Sequence, residues 1–127
     1  MVKYSLKKKE RLSSKKQISS LFKEGHYFFK FPFKLFYNII SIQDNTMSPV
    51  LFSVSVPKKK IRKAVLRNLI KRRTREAYRL NKYILIDKVP QNMQVQIMFV
   101  FIGNKPEDYT VIENSVKGLL NLINPES

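Results

Sequence analysis

The chain has no cysteine, only three glycines, a single histidine and nine acidic residues. Without cysteine there are neither disulfides nor thiolate metal sites, which fits a cytoplasmic address. Three glycines are too few for a glycine-rich phosphate loop. The lone His26 has no second histidine to share a metal with, and it reads as a structural or solvent-facing side chain. Acid–base catalysis needs juxtaposed titratable groups, yet Asp87, Glu107 and Asp108 read as scattered surface residues. No run of 18 apolar residues exists to span a bilayer. The basic N-terminus also lacks the apolar stretch of a secretory signal. No catalytic residue and no metal site is expected.

What is abundant is positive charge. Lys and Arg number 25 among 127 residues, for a net charge of +16 and a pI near 10.2. A hydrophobic fraction of 43% still supports a packed interior, and the length suits one domain over residues 1–127. Such a charge suits work on nucleic acid or an anionic membrane. It is also concentrated: residues 58–82 carry twelve Lys or Arg against the single Glu76, giving +11 of the +16. Residues 3–34 add +8, and the remainder is slightly acidic.

At about 100° per residue, a helix from near Arg62 or Lys63 to Asn81 places Arg67, Lys71 and Arg75 in one line. Asn68, Arg72 and Arg79 border that line. Val65, Leu66, Leu69, Ile70, Ala77 and Leu80 form the opposite, apolar side, with Arg73 and Glu76 intruding on it. Like charges at i, i+4 cost about 0.2–0.5 kcal/mol per pair when no counter-charge is near. A face with several such pairs points to a polyanionic partner rather than to solvent alone. Arginine's planar fork suits bidentate phosphate contact.

Around this helix, residues 1–12 read as a flexible basic arm. Ser14 and Gln17 have the spacing of a capping box for a helix at about 14–24, with Gly25 as its stop. Tyr27 to Tyr37 holds seven aromatics in eleven residues. From Phe33 the alternation predicts a strand, with Phe33, Leu35, Tyr37 and Ile39 on one side. Asp44-Asn45 marks a turn, and Val50 to Val56 alternates as a second strand. The two strands are expected to pair as antiparallel neighbours. A turn at Pro90 leads to a continuous apolar strand at 94–102. Thr110 and Glu113 form a second capping box before a terminal helix striped with Ile112, Val116, Leu119, Leu120 and Ile123. The order α-β-β-β-α-β-α, with two or three strands in the first run, defines an α+β domain. One apolar face cannot hide every ring of the aromatic run. Exposed rings beside cations are platforms on which unpaired bases stack, at about 1–3 kcal/mol each.

KAVLRNLIKRRTREAY, residues 63–78, resembles the signature helix of the bacterial ribonuclease P protein subunit, which follows a pattern like (N/K)AVxRNxxKRxxRE. Ala64, Val65, Arg67, Asn68, Lys71, Arg72, Arg75 and Glu76 match it. The ERL at 10–12, the helix ending in LFKEG and the PKKK entry also follow the family's order. Leu69 stands where the family often carries Arg, and Arg62 where Gly is frequent.

The resemblance implies a fold like ribosomal protein S5 domain 2, with helices packed on a mostly antiparallel sheet. It implies that Arg67, Asn68, Lys71, Arg72 and Arg75 hold the catalytic RNA, with Lys58, Lys59, Lys60 and Lys63 lining the approach. A cleft between the first helix and the sheet would receive the single-stranded 5′ leader of precursor tRNA, near Phe22, Phe33 and Phe36, with Arg11 at its edge. The implied reaction is Mg²⁺-dependent phosphodiester hydrolysis with the active site in the RNA. No small-molecule cofactor, protein-bound metal or membrane is expected. The leading alternative is a structural ribosomal protein. A helix-turn-helix DNA regulator fits less well, since strands flank the basic helix, and a membrane-surface peptide least, since the helix lacks a wide apolar face.

Overall fold

The computed structural model describes residues 10–12, 15–43 and 47–126. The elements run α1 (Lys15–Glu24), β1 (His26–Lys30), β2 (Phe33–Ser41), β3 (Val50–Ser55), α2 (Ala64–Asn81), α3 (Tyr83–Ile86), β4 (Met93–Phe101) and α4 (Tyr109–Leu122). Residues 1–9 of the basic arm, the Ser14 cap and the Asp44-Asn45 turn lie outside the described residues. The arm's last three residues are not flexible as expected, because Leu12 is buried and donates its N–H to the Phe52 carbonyl at 2.7 Å.

One mixed sheet has the order β1-β2-β4-β3. β1 and β2 form an antiparallel hairpin, β2 and β4 pair antiparallel, and β3 and β4 pair parallel. The expected β2–β3 pairing is therefore wrong, because β4 inserts between them. Hairpin logic favours partners close in sequence, but β3 is followed by α2, which carries the chain over the sheet and lets it return alongside as a parallel strand. β4 is central and buried from Gln94 to Phe99, which is why it is apolar on both sides from Ile97 onward, while the buried Gln94 donates to the Ser48 carbonyl at 2.9 Å.

The two sheet faces bury different helices. On one, Leu35, Ile97 and Phe99 pack with Ile70, Ala77 and Tyr78 of α2 and with Ile112, Val116 and Leu119 of α4. Phe52 stacks on Tyr78 at 4.3 Å between ring centroids. Phe33 belongs to this core, edge-on to Phe99 and Phe101 at 5.5 and 5.7 Å. On the other face Leu12, Leu21 and Met98 form a smaller cluster with Ile18, Leu51 and Val100, beneath α1. Strand parity decides this division: odd residues of β2 face α2 and α4, even ones face α1.

Helix ends depart from the sequence expectations. Gly25 does stop α1, but not through a left-handed turn, since no glycine here has positive φ. A Cβ at Gly25 would lie 2.5 Å from the Leu21 carbonyl oxygen and 3.0 Å from that of Tyr37, so close backbone approach requires glycine. Thr110 is not a cap. Asp108 takes that position without a side-chain cap bond, and Glu113 instead accepts from Asn81 Nδ2 at 3.0 Å, across to α2. The turn before β4 is set by Asn92 at φ 70°, a conformation asparagine tolerates. α3, a single turn, was not expected.

At the other end of α4 the Lys88 ammonium donates to the carbonyls of Ile123, Asn121 and Leu120 at 2.7, 3.3 and 3.4 Å. A cation there satisfies orphan carbonyls and complements the helix dipole. Lys88→Ala is expected to lower stability by about 1–2 kcal/mol, read as a shift of the urea midpoint with unchanged m-value. A midpoint equal to that of the parent protein would show that the cap is not stabilising.

Candidate nucleic-acid interface

The loop from Pro57 into α2 is built before it is charged. Lys60 and Ile61 both donate backbone N–H to the Pro57 carbonyl at 3.1 Å, and Ile61 is buried as an anchor. That closes a tight turn and leaves Lys58, Lys59, Lys60, Arg62 and Lys63 exposed. Arg67 Nη1 reaches back to the carbonyls of Ile61 and Arg62 at 3.0 and 2.6 Å. Arg67 is thus half-buried and committed to holding the loop, a role that sequence spacing could not separate from phosphate contact. Lys58, Lys59 and Arg62 line one open depression. Arg62 was missed as a site residue, although its place among four lysines is the signal that identifies it.

α2 is rotated roughly a quarter turn from the sequence expectation. Its buried residues are Ile70, Thr74, Ala77 and Tyr78, while Val65 is 70% exposed and Leu80 is also exposed. Thr74 is accommodated because its hydroxyl donates to the Ile70 carbonyl at 2.7 Å, and Tyr78 because its ring stacks on Phe52. The outward face therefore centres on Asn68, Arg72 and Arg75, all exposed, with Lys71 half-buried at its flank.

Two other cations of the helix are spent internally. Arg73 donates to the Glu107 carbonyl at 2.6 Å. Arg79 forms a forked pair with Glu76 at 2.8 and 2.9 Å, and those hydrogen bonds hold the Glu76 carboxyl below its ordinary range. Among the described residues the ion pairs are Arg79–Glu76 and Lys82–Glu10. Neither takes Asn68's neighbours Arg72 and Arg75, nor the loop lysines. Arg72, Arg75 and the loop cations are left without internal compensation among these residues.

The second site lies across the sheet. Phe22, 50% exposed on α1, meets Phe36 edge-on at 4.9 Å. Tyr27 adjoins Phe36 at 5.8 Å, and the Lys34 ammonium lies 4.1 Å from the centre of the Tyr27 ring and 5.2 Å from that of Phe36. The expected cleft residues Phe22 and Phe36 are therefore together. Phe33 is not with them: it is fully buried on the opposite face, and truncating it would cost about 3–5 kcal/mol of core packing. Arg11 is exposed where its segment bridges to Phe52 beside β3. Leu12, one step on, occupies the α1 side, so alternation turns Arg11 away from the paired rings. His26 is exposed beside Tyr37.

Fold and surface together define a small basic α+β protein that carries a cationic helix and loop and, beside α1, a cluster of partly exposed rings. The ribonuclease P family model matches residues 6–123. The ribonuclease P protein component of Porphyromonas gingivalis is 38% identical over 116 residues, covering 90% of this chain and 82% of that one. The fold is similar to that of the Thermotoga maritima RNase P protein, with TM-score 0.68 and 24% identity over 91% of this chain and 98% of that one. It is also similar to the Staphylococcus aureus RNase P protein, with TM-score 0.67 and 23% identity over 87% and 92%. The chain belongs to the bacterial ribonuclease P protein family, whose members serve as the protein component of a ribonuclease ribonucleoprotein that processes tRNA.

Proposed function

We propose that this protein holds the catalytic RNA of ribonuclease P against the strip from Lys58 to Arg75, and the single-stranded 5′ leader of precursor tRNA in the groove between α1 and the sheet. The carrying observation is that Asn68, Arg72 and Arg75 and the loop lysines that lead into the same helix are all exposed, with no carboxylate bonded to them among the described residues. Arg72 and Arg75 would grip phosphate oxygens with planar forks, Asn68 would add a neutral hydrogen bond, and the lysines would act as mobile point charges. Arg67 keeps the loop in register with them. In the groove, Phe22 and Phe36 offer ring faces to unpaired bases and Lys34 sits where a leader phosphate would be neutralised.

The bond broken is a phosphodiester at the tRNA 5′ end, and we assign its chemistry to the RNA. The Mg²⁺ that this chemistry needs belongs, in this reading, to the ribonucleoprotein. No described helix is long and apolar enough to cross a membrane.

The direct test is reconstitution. Purified protein mixed with a bacterial ribonuclease P RNA at low Mg²⁺ is expected to restore precursor cleavage that the RNA alone lacks. No gain over RNA alone would overturn the assignment. Phe22→Ala is expected to cut the affinity difference between leader-bearing and mature tRNA about tenfold, the worth of one stacked base. Because Phe22 is half exposed, its melting temperature should hardly move. A large melting shift with the leader preference intact would make Phe22 a packing residue.

A further inference from the structure

β1 is the outer strand of the sheet, and its side chains divide sharply. Phe28 packs into the α2–α4 core and stacks on Tyr37 at 5.3 Å. Tyr27 and Phe29 point to the α1 side, where their register partners are Phe36 and Lys34. They are 57% and 61% exposed, and Phe31, next in the turn, is 54% exposed. Polar residues would serve as well on the open side of an edge strand. A contiguous set of large exposed rings marks an interaction surface.

Its position and charge select the occupant. Phe22, Phe36 and Tyr27 form an unbroken series of ring contacts, and the exposed Phe29 and Phe31 follow Tyr27 along the outer strand and into its turn. Alternate residues on a strand are about 6.6 Å apart, which leaves room for a base between successive rings. The Lys34 ammonium lies over two of the rings, a placement that suits a ligand combining flat bases with negative charge. Within residues 15–43 the sequence holds five Lys and a single acid, Glu24. An apolar protein partner would have to bury that ammonium.

We infer that Tyr27, Phe29 and Phe31 form a second stacking platform that continues the groove and binds single-stranded RNA upstream of the segment held by Phe22 and Phe36. The inference rests on the leader reading above and extends it to residues outside the groove. It makes the useful leader length longer than the groove itself can hold.

The experiment compares the parent protein with the Phe29→Ser/Phe31→Ser variant, both assembled with ribonuclease P RNA. Binding of precursors is measured as the leader is lengthened. Both proteins should bind short leaders equally. On long leaders the parent should gain about tenfold over the variant. Superimposable curves overturn the platform. If neither protein distinguishes precursor from mature tRNA, the leader reading itself fails. The platform is then decided by fluorescence anisotropy of labelled oligouridylate with each protein alone, where equal affinities overturn it and weaker binding by the variant supports it. Sedimentation equilibrium is run alongside. A dimer of the parent that the variant loses, with oligouridylate affinity unchanged, would make the rings a self-association edge instead.

Discussion

Arg72→Ala combined with Arg75→Ala is expected to weaken binding to ribonuclease P RNA about a hundredfold near 0.1 M salt, and to flatten its salt dependence. The two guanidinium groups are exposed on the outward face of α2 and carry no internal partner among the described residues. Hydrogen bonds to charged groups contribute about 1.5–3 kcal/mol each, so two lost contacts amount to roughly 3 kcal/mol, or two decades in affinity. Each phosphate released from contact should lower the slope of log K against log salt by about 0.7–0.9. Because neither side chain packs in the core, the melting temperature should stay within a few degrees. Filter-binding titrations at several salt concentrations read both quantities. Unchanged affinity and slope would remove α2 from the interface. Arg73 and Arg79 make an internal control, since the Glu107 carbonyl and Glu76 already occupy them, and their replacement should alter the slope less.

The second large effect is on stability. Glu10 and Lys82 meet at 3.0 Å with their side chains only 11% and 3% exposed, joining the N-terminal segment to the end of α2. Tyr78 lies in the same region: burial first, then the charge of Glu10, raises its phenol well above the ordinary range and keeps it protonated. Glu10→Gln takes the countering charge from a buried ammonium, and breaking such a pair costs about 3–5 kcal/mol. For a chain of this size that lowers the melting temperature by roughly 10–20 °C. The paired change Glu10→Leu with Lys82→Met should recover much of the loss, because an apolar pair avoids desolvating two ions. A melting temperature within a degree or two of the parent for Glu10→Gln would show that the pair carries little of the fold's stability.

What the sequence made legible follows from how many faces an element buries. β4 is buried on both sides and spells a continuous apolar run from Ile97 onward, so its place inside the sheet could be read directly. α2 was legible as a helix and as the bearer of the charge, but its rotation was not. Thr74 and Tyr78 look polar on a helical wheel, and only the Ile70 carbonyl and the Phe52 ring explain why they point inward. Val65 and Leu80 look apolar yet are exposed on the matching rim. The pairing of β2 with β3 failed because the strand between them arrives some forty residues later, after a helical crossover that local turn chemistry does not encode. Phe33 and Phe36 were not separable by type. Strand parity distinguishes them, but assigning a face to each parity requires knowing that α1 covers one side and α2 with α4 the other. Arg67 shows the same ambiguity for a cation: a carbonyl of its own loop and a phosphate of an RNA ask for the same donor.

The absence of cysteine makes the central claim open to a clean measurement. Val65→Cys places a single thiol on the outward face of α2, beside Asn68 and Arg72, at a position exposed enough to take a tethered iron chelate. Leu122→Cys, exposed at the C-terminal end of α4, serves as the control. Hydroxyl radicals generated from position 65 in the assembled ribonucleoprotein should cut the ribonuclease P RNA at a few discrete sites, and those from position 122 should not. Cutting from position 122 with none from position 65 would mean that the cationic ridge faces away from the RNA.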